Sequence, residues 1–102
     1  MKFIIIYCTH PNKEQSEKIV NNLLESKLIA CVNYLPIDVS YHWKWDIANA
    51  SVIVSLLKTR VENWEKVKKY IEDNHSYEIP CIIKMEVEAN EDYVNWIYNE
   101  TR

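Results

Sequence analysis

Four side chains that can bind a ligand or move a proton lie within seven residues in the last third of the chain. The segment His75-Ser-Tyr-Glu-Ile-Pro-Cys81 holds an imidazole, a phenol, a carboxylate and a thiol. Neutral imidazole and thiolate are common ligands for zinc and copper. A histidine at the end of a helix can instead complement the helix dipole and bond the last carbonyls. The segment therefore predicts either a metal or ligand site or an ordinary helix end.

Two cysteines could join His75 in a metal site. Cys8 ends the first predicted strand, and Cys81 begins the last one. Two thiolates and one imidazole form a set soft enough for Cu(I) or zinc. Cysteine is also among the residues most often fully buried, so both could instead fill the core as small hydrophobes. We predict Cys8, His75 and Cys81 as metal ligands and place Cys31 in the core.

The same thiol and imidazole could also serve an enzyme as nucleophile and base. No third orienting residue and no oxyanion motif accompany Cys8 and His75 in the sequence. We therefore expect a binding protein without catalytic activity.

Length, charge and cysteine count narrow the class of protein. A chain of 102 residues has the size of one domain, and 15 acidic against 12 basic residues give a net charge of -3. The longest basic run is Lys68-Lys69, which argues against a nucleic-acid partner. Three cysteines without a CxxC pair disfavour disulfides, and the apolar start lacks a cleavage site and is too short to span a membrane. We expect one cytoplasmic domain, residues 1–102, with no membrane partner.

The sequence contains no glycine. Glycine normally supplies the positive backbone angle φ that many turns require. Its absence excludes a Walker loop and a dinucleotide-binding fingerprint. Among the other residues asparagine visits the left-handed region most readily, so we predict it at these turn positions, with candidates Asn12, Asn33, Asn49, Asn74, Asn90 and Asn99.

The periodicity of apolar residues predicts the elements that position these side chains. Helices are expected at about residues 11–27 and 61–74, with a short third helix after an Asn90 cap. A second strand starts at residue 29 and is broken by Pro36, after which an alternating run continues it to residue 45. The other strands are expected at residues 3–8, 51–58 and 81–88, with a hairpin turn near residues 46–50.

This order of elements predicts an α+β fold, the ferredoxin-like β-α-β-β-α-β sandwich, with a long β-hairpin and an appended C-terminal helix. Two helices would cover one face of the sheet. Tyr34, Tyr41, Trp43 and Trp45 are too apolar to remain in water as one patch on the other face. Self-association in a closed symmetric oligomer is the simplest way to cover it.

Five segments in this order resemble one family, the divalent-cation tolerance proteins (CutA), over nearly the whole chain. The segments are Tyr7-Cys8-Thr9, Lys27 to Asn33 leading into Pro36, Tyr41-His-Trp-Lys44, Leu57-Lys-Thr59 and His75 to Pro80. The resemblance implies a ferredoxin-like protomer, a tight homotrimer built through the hairpin, and a cytoplasmic location. It also implies an association with copper and other divalent metals. We expect copper first and zinc next, with no metal required for folding.

The chain departs from the family pattern at the sites that matter most. Trp45-Asp46 stands where the family usually has glycine after the Trp-Lys pair, and the link from Pro36 to Tyr41 is one residue shorter than expected. Ser76 replaces the usual proline after the histidine. Cys81 replaces the usual glutamate after Pro80, which changes any metal site that it reaches.

A ligand-binding cleft between subunits is the second predicted site. Tyr41, Trp43 and Lys58 would come from the hairpin, and Tyr77 and Glu78 from the segment after helix 2. A carboxylate beside a lysine in such a cleft can carry a shifted pKa and transfer protons, although a structural ion pair is the more common role. The alternative function is therefore an oligomeric sensor of a small ligand, resembling the PII signalling trimers, without a role for metal.

Overall fold

The computed structural model describes residues 2–102 and confirms the predicted α+β, ferredoxin-like fold. The four strands form one antiparallel sheet in the order β2-β3-β1-β4. Three α-helices and one short 3-10 helix connect or follow them. The strands are β1 (Lys2–His10), β2 (Cys31–Trp43), β3 (Asp46–Thr59) and β4 (Ile82–Glu88). The helices are α1 (Lys13–Glu25), the 3-10 turn Val61–Asn63, α2 (Trp64–Asn74) and α3 (Glu91–Glu100).

The core lies between one face of the sheet and helices α1 and α2. Alternate residues of β1 point to that face, and Ile4, Ile6 and Cys8 are fully buried there. Leu57 of β3 pairs with Ile6 and joins the same cluster. The intervening residue Ile5 points to the other face, where it packs with α3. A side chain's position in β1 therefore decides which side of the sheet it reaches.

Helix α1, Lys13–Glu25, is shorter than the predicted range of 11–27 by two residues at each end. Asn12 caps it, because its side-chain oxygen accepts a hydrogen bond from the backbone N-H of Gln15. At the other end Lys27 adopts φ 61°, and the N-H groups of Lys27 and Leu28 return to the carbonyls of Leu24 and Leu23. This is the Schellman arrangement, which satisfies the last carbonyls of a helix.

The prediction that asparagine occupies the left-handed positions is wrong. Among residues 2–102 positive φ angles occur at Lys27, Lys44 and Trp45. Asn12 has an extended backbone and Asn90 has φ -58°, and both precede helices. The turn geometry at each left-handed residue therefore overrides the weak local preference of the side chain.

Strand β2 is not broken at Pro36, as the sequence had suggested. It runs without interruption from Cys31 to Trp43, with Pro36 paired to Ile53. Because β2 is an edge strand, the missing N-H of proline costs no bond to a further strand.

The hairpin turn occupies Lys44-Trp45 and not residues 46–50. Trp43 pairs with Asp46, so only two residues connect the strands, and both have positive φ angles of 46° and 75°. Two such angles are characteristic of a type I′ turn, whose twist matches that of the strands it joins. The hairpin is consequently longer than predicted, and the molecule measures 46 × 23 × 21 Å.

Candidate metal centre and adjoining cleft

Three potential metal ligands meet where β1 ends and α2 ends. Cys8 and His10 lie two residues apart in β1, so both point to the core face, and His75 caps the last turn of α2. Their ligand atoms all lie within 4.8 Å of one another, with Cys8 and His10 buried and His75 half-buried. We call these three residues the Cys-His cluster.

Two of the three predicted metal ligands, Cys8 and His75, are brought together, and Cys81 is not part of the cluster. Ile82 pairs with Cys8 and packs into the core under the helices. Cys81, one residue earlier, lines a cavity with Tyr7 on the opposite face of the sheet. Cys81, which precedes β4, therefore lies outside the group of ligand atoms, although it is near enough to affect the pKa of Cys8.

His10 takes the place predicted for Cys81, although the predicted first strand ended at residue 8 and did not include it. Alternation along the strand could have found it, because His10 follows Cys8 by two residues in a buried strand. Extending the predicted strand from residue 8 to residue 10 would have been enough.

Both ring nitrogens of His75 take part in hydrogen bonds. Its Nε2 lies 2.7 Å from the carbonyl oxygen of Thr9, and its Nδ1 lies 3.0 Å from the backbone nitrogen of Tyr77. A carbonyl can only accept and an amide N-H can only donate. The neutral ring of His75 therefore carries its proton on Nε2 and accepts on Nδ1, which ties the end of α2 to the end of β1.

His10 has one ring nitrogen without a partner. Its Nε2 lies 3.0 Å from the hydroxyl of Ser55, while its buried Nδ1 has no hydrogen-bond partner within residues 2–102. The hydroxyl of Ser55 donates a hydrogen bond to the carbonyl oxygen of Cys8, 3.4 Å away. The hydroxyl oxygen can therefore accept a hydrogen bond from Nε2-H of His10. This leaves Nδ1 of His10 as a free lone pair, which is the form that binds metal.

The environment keeps His10 neutral. Its ring stacks on that of His75, with centroids 4.9 Å apart and an interplanar angle of 22°. Burial, and secondarily the neighbouring His75, lowers the pKa of His10 to about 4. A buried positive charge is unfavourable here, so His10 offers a lone pair at neutral pH.

Cys8 is a neutral thiol in the absence of metal. Burial, and secondarily the nearby Cys81, raises its pKa to about 12. A thiol in this state is a poor nucleophile, which argues against the cysteine-histidine pair expected of an enzyme. A bound metal ion would displace the proton, because a coordinated thiol loses it.

The raised pKa of Cys8 predicts very slow alkylation in the folded protein. At pH 7.5 we expect iodoacetamide to modify Cys8 at least about a hundredfold more slowly in buffer than in denaturant, because both access and thiolate are lacking. Peptide mass spectrometry at timed intervals measures the two rates. Similar rates in the two conditions would contradict the neutral, buried thiol.

A cavity of about 420 Å³ adjoins the cluster on the other face of the sheet. Four of the five residues predicted for the ligand-binding cleft line it, namely Tyr41, Trp43, Tyr77 and Glu78. Its remaining walls are Tyr7, Thr9, Val39, Ser40, Val52, Ile79 and Cys81.

Lys58, the fifth predicted residue, does not line this cavity. Its Nζ donates to the hydroxyl of Tyr93 at 3.1 Å and lies 5.3 Å from the centre of that ring. Lys58 pairs with Ile5, so it lies under α3, whereas the cavity begins at Tyr7. Within residues 2–102 Lys58 and Glu78 therefore form no ion pair.

Two residues connect the Cys-His cluster with the cavity. Thr9 and Tyr77 both line the cavity, and their backbone groups hold the two nitrogens of His75. The ring of Tyr77 also contacts that of His75, with centroids 4.7 Å apart. Burial, followed by Tyr41 and Cys8, raises the pKa of the Tyr77 hydroxyl, so it stays protonated. A movement of His75 would consequently alter the wall of the cavity.

These features define an α+β protein of the ferredoxin-like class, with a thiol-imidazole cluster on one side of β1 and an apolar cavity on the other. Residues 4–100 match the family described as CutA1 divalent ion tolerance protein. The chain belongs to that family, as the sequence resemblance had predicted. The family is described by ion tolerance and not by a reaction.

Known relatives support this membership over almost the full length. The divalent-cation tolerance protein CutA of Pyrococcus horikoshii is 40% identical over 100 residues, which cover 97% of this chain and 98% of that protein. The solved structure titled periplasmic divalent cation tolerance protein CutA from Archaeoglobus fulgidus has a TM-score of 0.92 at 36% identity, covering 98% of both chains. The structure titled PII-like protein CutA from Nostoc sp. PCC 7120 has a TM-score of 0.90 at 28% identity, covering 100% of this chain and 98% of that one.

None of the helices within residues 2–102 combines the length and apolar character needed to cross a membrane.

Proposed function

We propose that this protein is a homotrimer that binds copper, or zinc as the second choice, through Cys8, His10 and His75, and that takes part in tolerance or signalling of the metal. The observation that carries the proposal is the convergence of Cys8, His10 and His75, whose ligand atoms lie within 4.8 Å of one another. The Nδ1 of His10, in addition, has no hydrogen-bond partner within residues 2–102. A thiolate with two imidazoles is a soft ligand set, which favours Cu(I) and also suits zinc. Compared with the ligand set expected from sequence, His10 replaces Cys81.

The donor set fits a metal ion only with a local rearrangement at His75. His10 can offer Nδ1 as it stands, and Cys8 can offer its sulfur on losing a proton. A nitrogen of His75 can coordinate a metal ion only after a hydrogen bond is broken. Nε2 must release the carbonyl of Thr9, or Nδ1 must release the amide of Tyr77. Binding would therefore loosen a wall of the cavity, which couples the metal to the second site and suits a signalling role.

The proposed trimer is supported by the apolar face that α1 and α2 leave uncovered. Leu35 of β2 and Ile83 and Met85 of β4 are exposed there, and Ile83 pairs with Tyr7, which lines the cavity. Isolated exposed hydrophobics need no explanation, but a contiguous patch of this kind marks an interaction surface. Further copies of the same chain are the simplest partners, and three copies joined head-to-tail can close into a ring.

A competition titration with a Cu(I) chelator tests the metal site. We expect Cys8→Ser to weaken Cu(I) binding at least about tenfold, since it removes the only thiolate of the cluster. Cys81→Ser is the matched control, because it removes a thiol from the opposite face of the sheet. Unchanged affinity in Cys8→Ser, or an equal loss in Cys81→Ser, would contradict the assignment.

The alternative function is a PII-like sensor of a small ligand without a metal role. The cavity beside Tyr41 and Trp43 favours it, because its size and apolar walls suit a small organic molecule. The likeness to the PII-like protein from Nostoc also supports it. Thermal shift measurements with nucleotides and with divalent metals separate the two functions by the ligand class that stabilises the protein.

The proposed location is the cytoplasm. Cys8, Cys31 and Cys81 are all free thiols, which suits a reducing compartment. Relatives are described as chloroplastic in Arabidopsis thaliana and periplasmic in Archaeoglobus fulgidus, so the family is not restricted to one compartment. We propose a binding role and assign no reaction to the protein.

A further inference from the structure

Trp45 at the tip of the hairpin is an unusual residue in an unusual place. Its side chain is fully exposed to solvent, and its backbone has φ 75°. A bulky residue in the left-handed region is strained, and a large exposed aromatic ring forfeits the hydrophobic free energy of burial. Both costs would vanish with glycine or asparagine, which type I′ turns prefer. The turn alone therefore gives no reason for the indole.

The cavity beside the Cys-His cluster offers an apolar environment that could bury a ring such as that of Trp45. It is large and mostly apolar, with Trp43, Val52 and Ile79 among its walls. Trp45 of the same chain does not line it. An aromatic ring gains hydrophobic free energy when it enters such a pocket, and tryptophan is among the residues enriched at the hot spots of protein interfaces.

The charges beside the two features are complementary. Lys44, next to Trp45 in the turn, lies over the ring of Trp43 and forms no ion pair within residues 2–102. Glu78 is exposed at the rim of the cavity and is likewise without an ion pair in that part of the chain. An indole that enters the cavity would bring a lysine with it toward this carboxylate.

We propose that Trp45 of one copy inserts into the cavity of the next copy, with Lys44 facing Glu78. The tip and the cavity are different surfaces, so the contact is head-to-tail and can close into a ring. This inference rests on the proposed trimer but not on metal binding. It makes the cavity a site that is completed by the neighbouring subunit, and the departure from the family pattern at Trp45 becomes part of the interface.

A zero-length carbodiimide cross-link on unmodified protein tests the contact. Carbodiimide joins an amine to a carboxylate only where they touch, and a mixture of ¹⁵N-labelled and unlabelled chains shows whether the joined peptides come from different copies. We expect a mixed-label link between Lys44 and Glu78 that Glu78→Gln abolishes. The ion pair of Lys69 with Asp73, 3.0 Å apart within α2, is an internal control that must link only within one chain.

A second variant tests the indole itself. Trp45→Gly should keep the fold, because glycine adopts the turn without strain. We expect it to raise the concentration at which the oligomer dissociates at least about tenfold in native mass spectrometry. Trp96→Ala is the control, since it removes another exposed indole, on α3 and outside the cavity.

The outcomes separate this inference from the proposed trimer. A stable trimer without the mixed-label link, or one that Trp45→Gly leaves unchanged, overturns the contact while the trimer stands. A monomer at every concentration overturns both. Binding of Trp45 to anionic lipid vesicles, without a link between chains, would assign the tip to a membrane surface and overturn the contact as well.

Discussion

Acidification from pH 7 to pH 4 is expected to lower the free energy of unfolding by about 3 kcal/mol through His10 alone. In the unfolded chain this histidine takes up a proton near pH 6.5, whereas in the folded protein its pKa is about 4. Between these values the unfolded state binds more protons, so stability falls as the pH falls. The contribution is complete above about pH 6.5 and is lost by about pH 4, because each pKa unit corresponds to about 1.4 kcal/mol.

Denaturant unfolding at a series of pH values, at one fixed protein concentration, measures this effect. His10→Gln keeps an amide that can donate to Ser55 but cannot titrate, so its stability should depend less on pH across the same window. His42→Gln is the matched control, because His42 is exposed on the hairpin. Equal pH dependence in wild type and His10→Gln would show that His10 is not held neutral by the fold.

Replacing His75 with alanine is expected to lower the free energy of unfolding by about 2 kcal/mol. The substitution removes the acceptor for the Tyr77 amide and the donor to the Thr9 carbonyl, and it leaves both backbone groups without their partner. It also removes the ring that stacks on His10. Hydrogen exchange at the Tyr77 amide should accelerate, because that proton loses its bond.

Ser76→Ala is the comparison for this prediction. The hydroxyl of Ser76 donates to the side chain of Gln15 at 2.8 Å on an exposed surface, so its loss should change stability by less than about 0.5 kcal/mol. If Ser76→Ala lowered the free energy of unfolding as much as His75→Ala, any substitution in the segment after α2 would be destabilising. The specific anchoring by His75 would then be unsupported.

The sequence was sufficient to predict the sheet, since the alternation and branched residues of β1, β3 and β4 are strong local signals. It misplaced the hairpin turn, because nothing local favours a left-handed conformation at Lys44 or Trp45. The continuous pairing of a 13-residue strand with a 14-residue strand determines the turn. The predicted break at Pro36 was wrong for a related reason. A strand tolerates proline when it lies at the edge of the sheet, and the edge position of β2 is a property of the whole sheet.

Only part of the candidate metal site could be predicted from the sequence, because the rest depends on the arrangement of the whole sheet. Cys8 and His75 carried recognisable chemistry, and the fold brings them together. Cys81 was predicted as a third ligand, but Ile82 and not Cys81 pairs with Cys8 and packs against the core, and successive residues of a strand point to opposite faces. The hydrogen bonds that hold His75, and the lack of a partner for Nδ1 of His10, depend on contacts between residues up to 66 positions apart. No local pattern can show such contacts.

X-ray absorption spectroscopy of copper-loaded protein tests the metal assignment most directly, because it reports the atoms bound to the metal. We predict one sulfur and two imidazole nitrogens around Cu(I) in the wild type. The sulfur should be absent from Cys8→Ser, and one imidazole should be absent from His10→Gln, while Cys81→Ser leaves the spectrum unchanged. A metal environment without sulfur, or one whose sulfur is lost with Cys81→Ser, would contradict a site built from Cys8, His10 and His75.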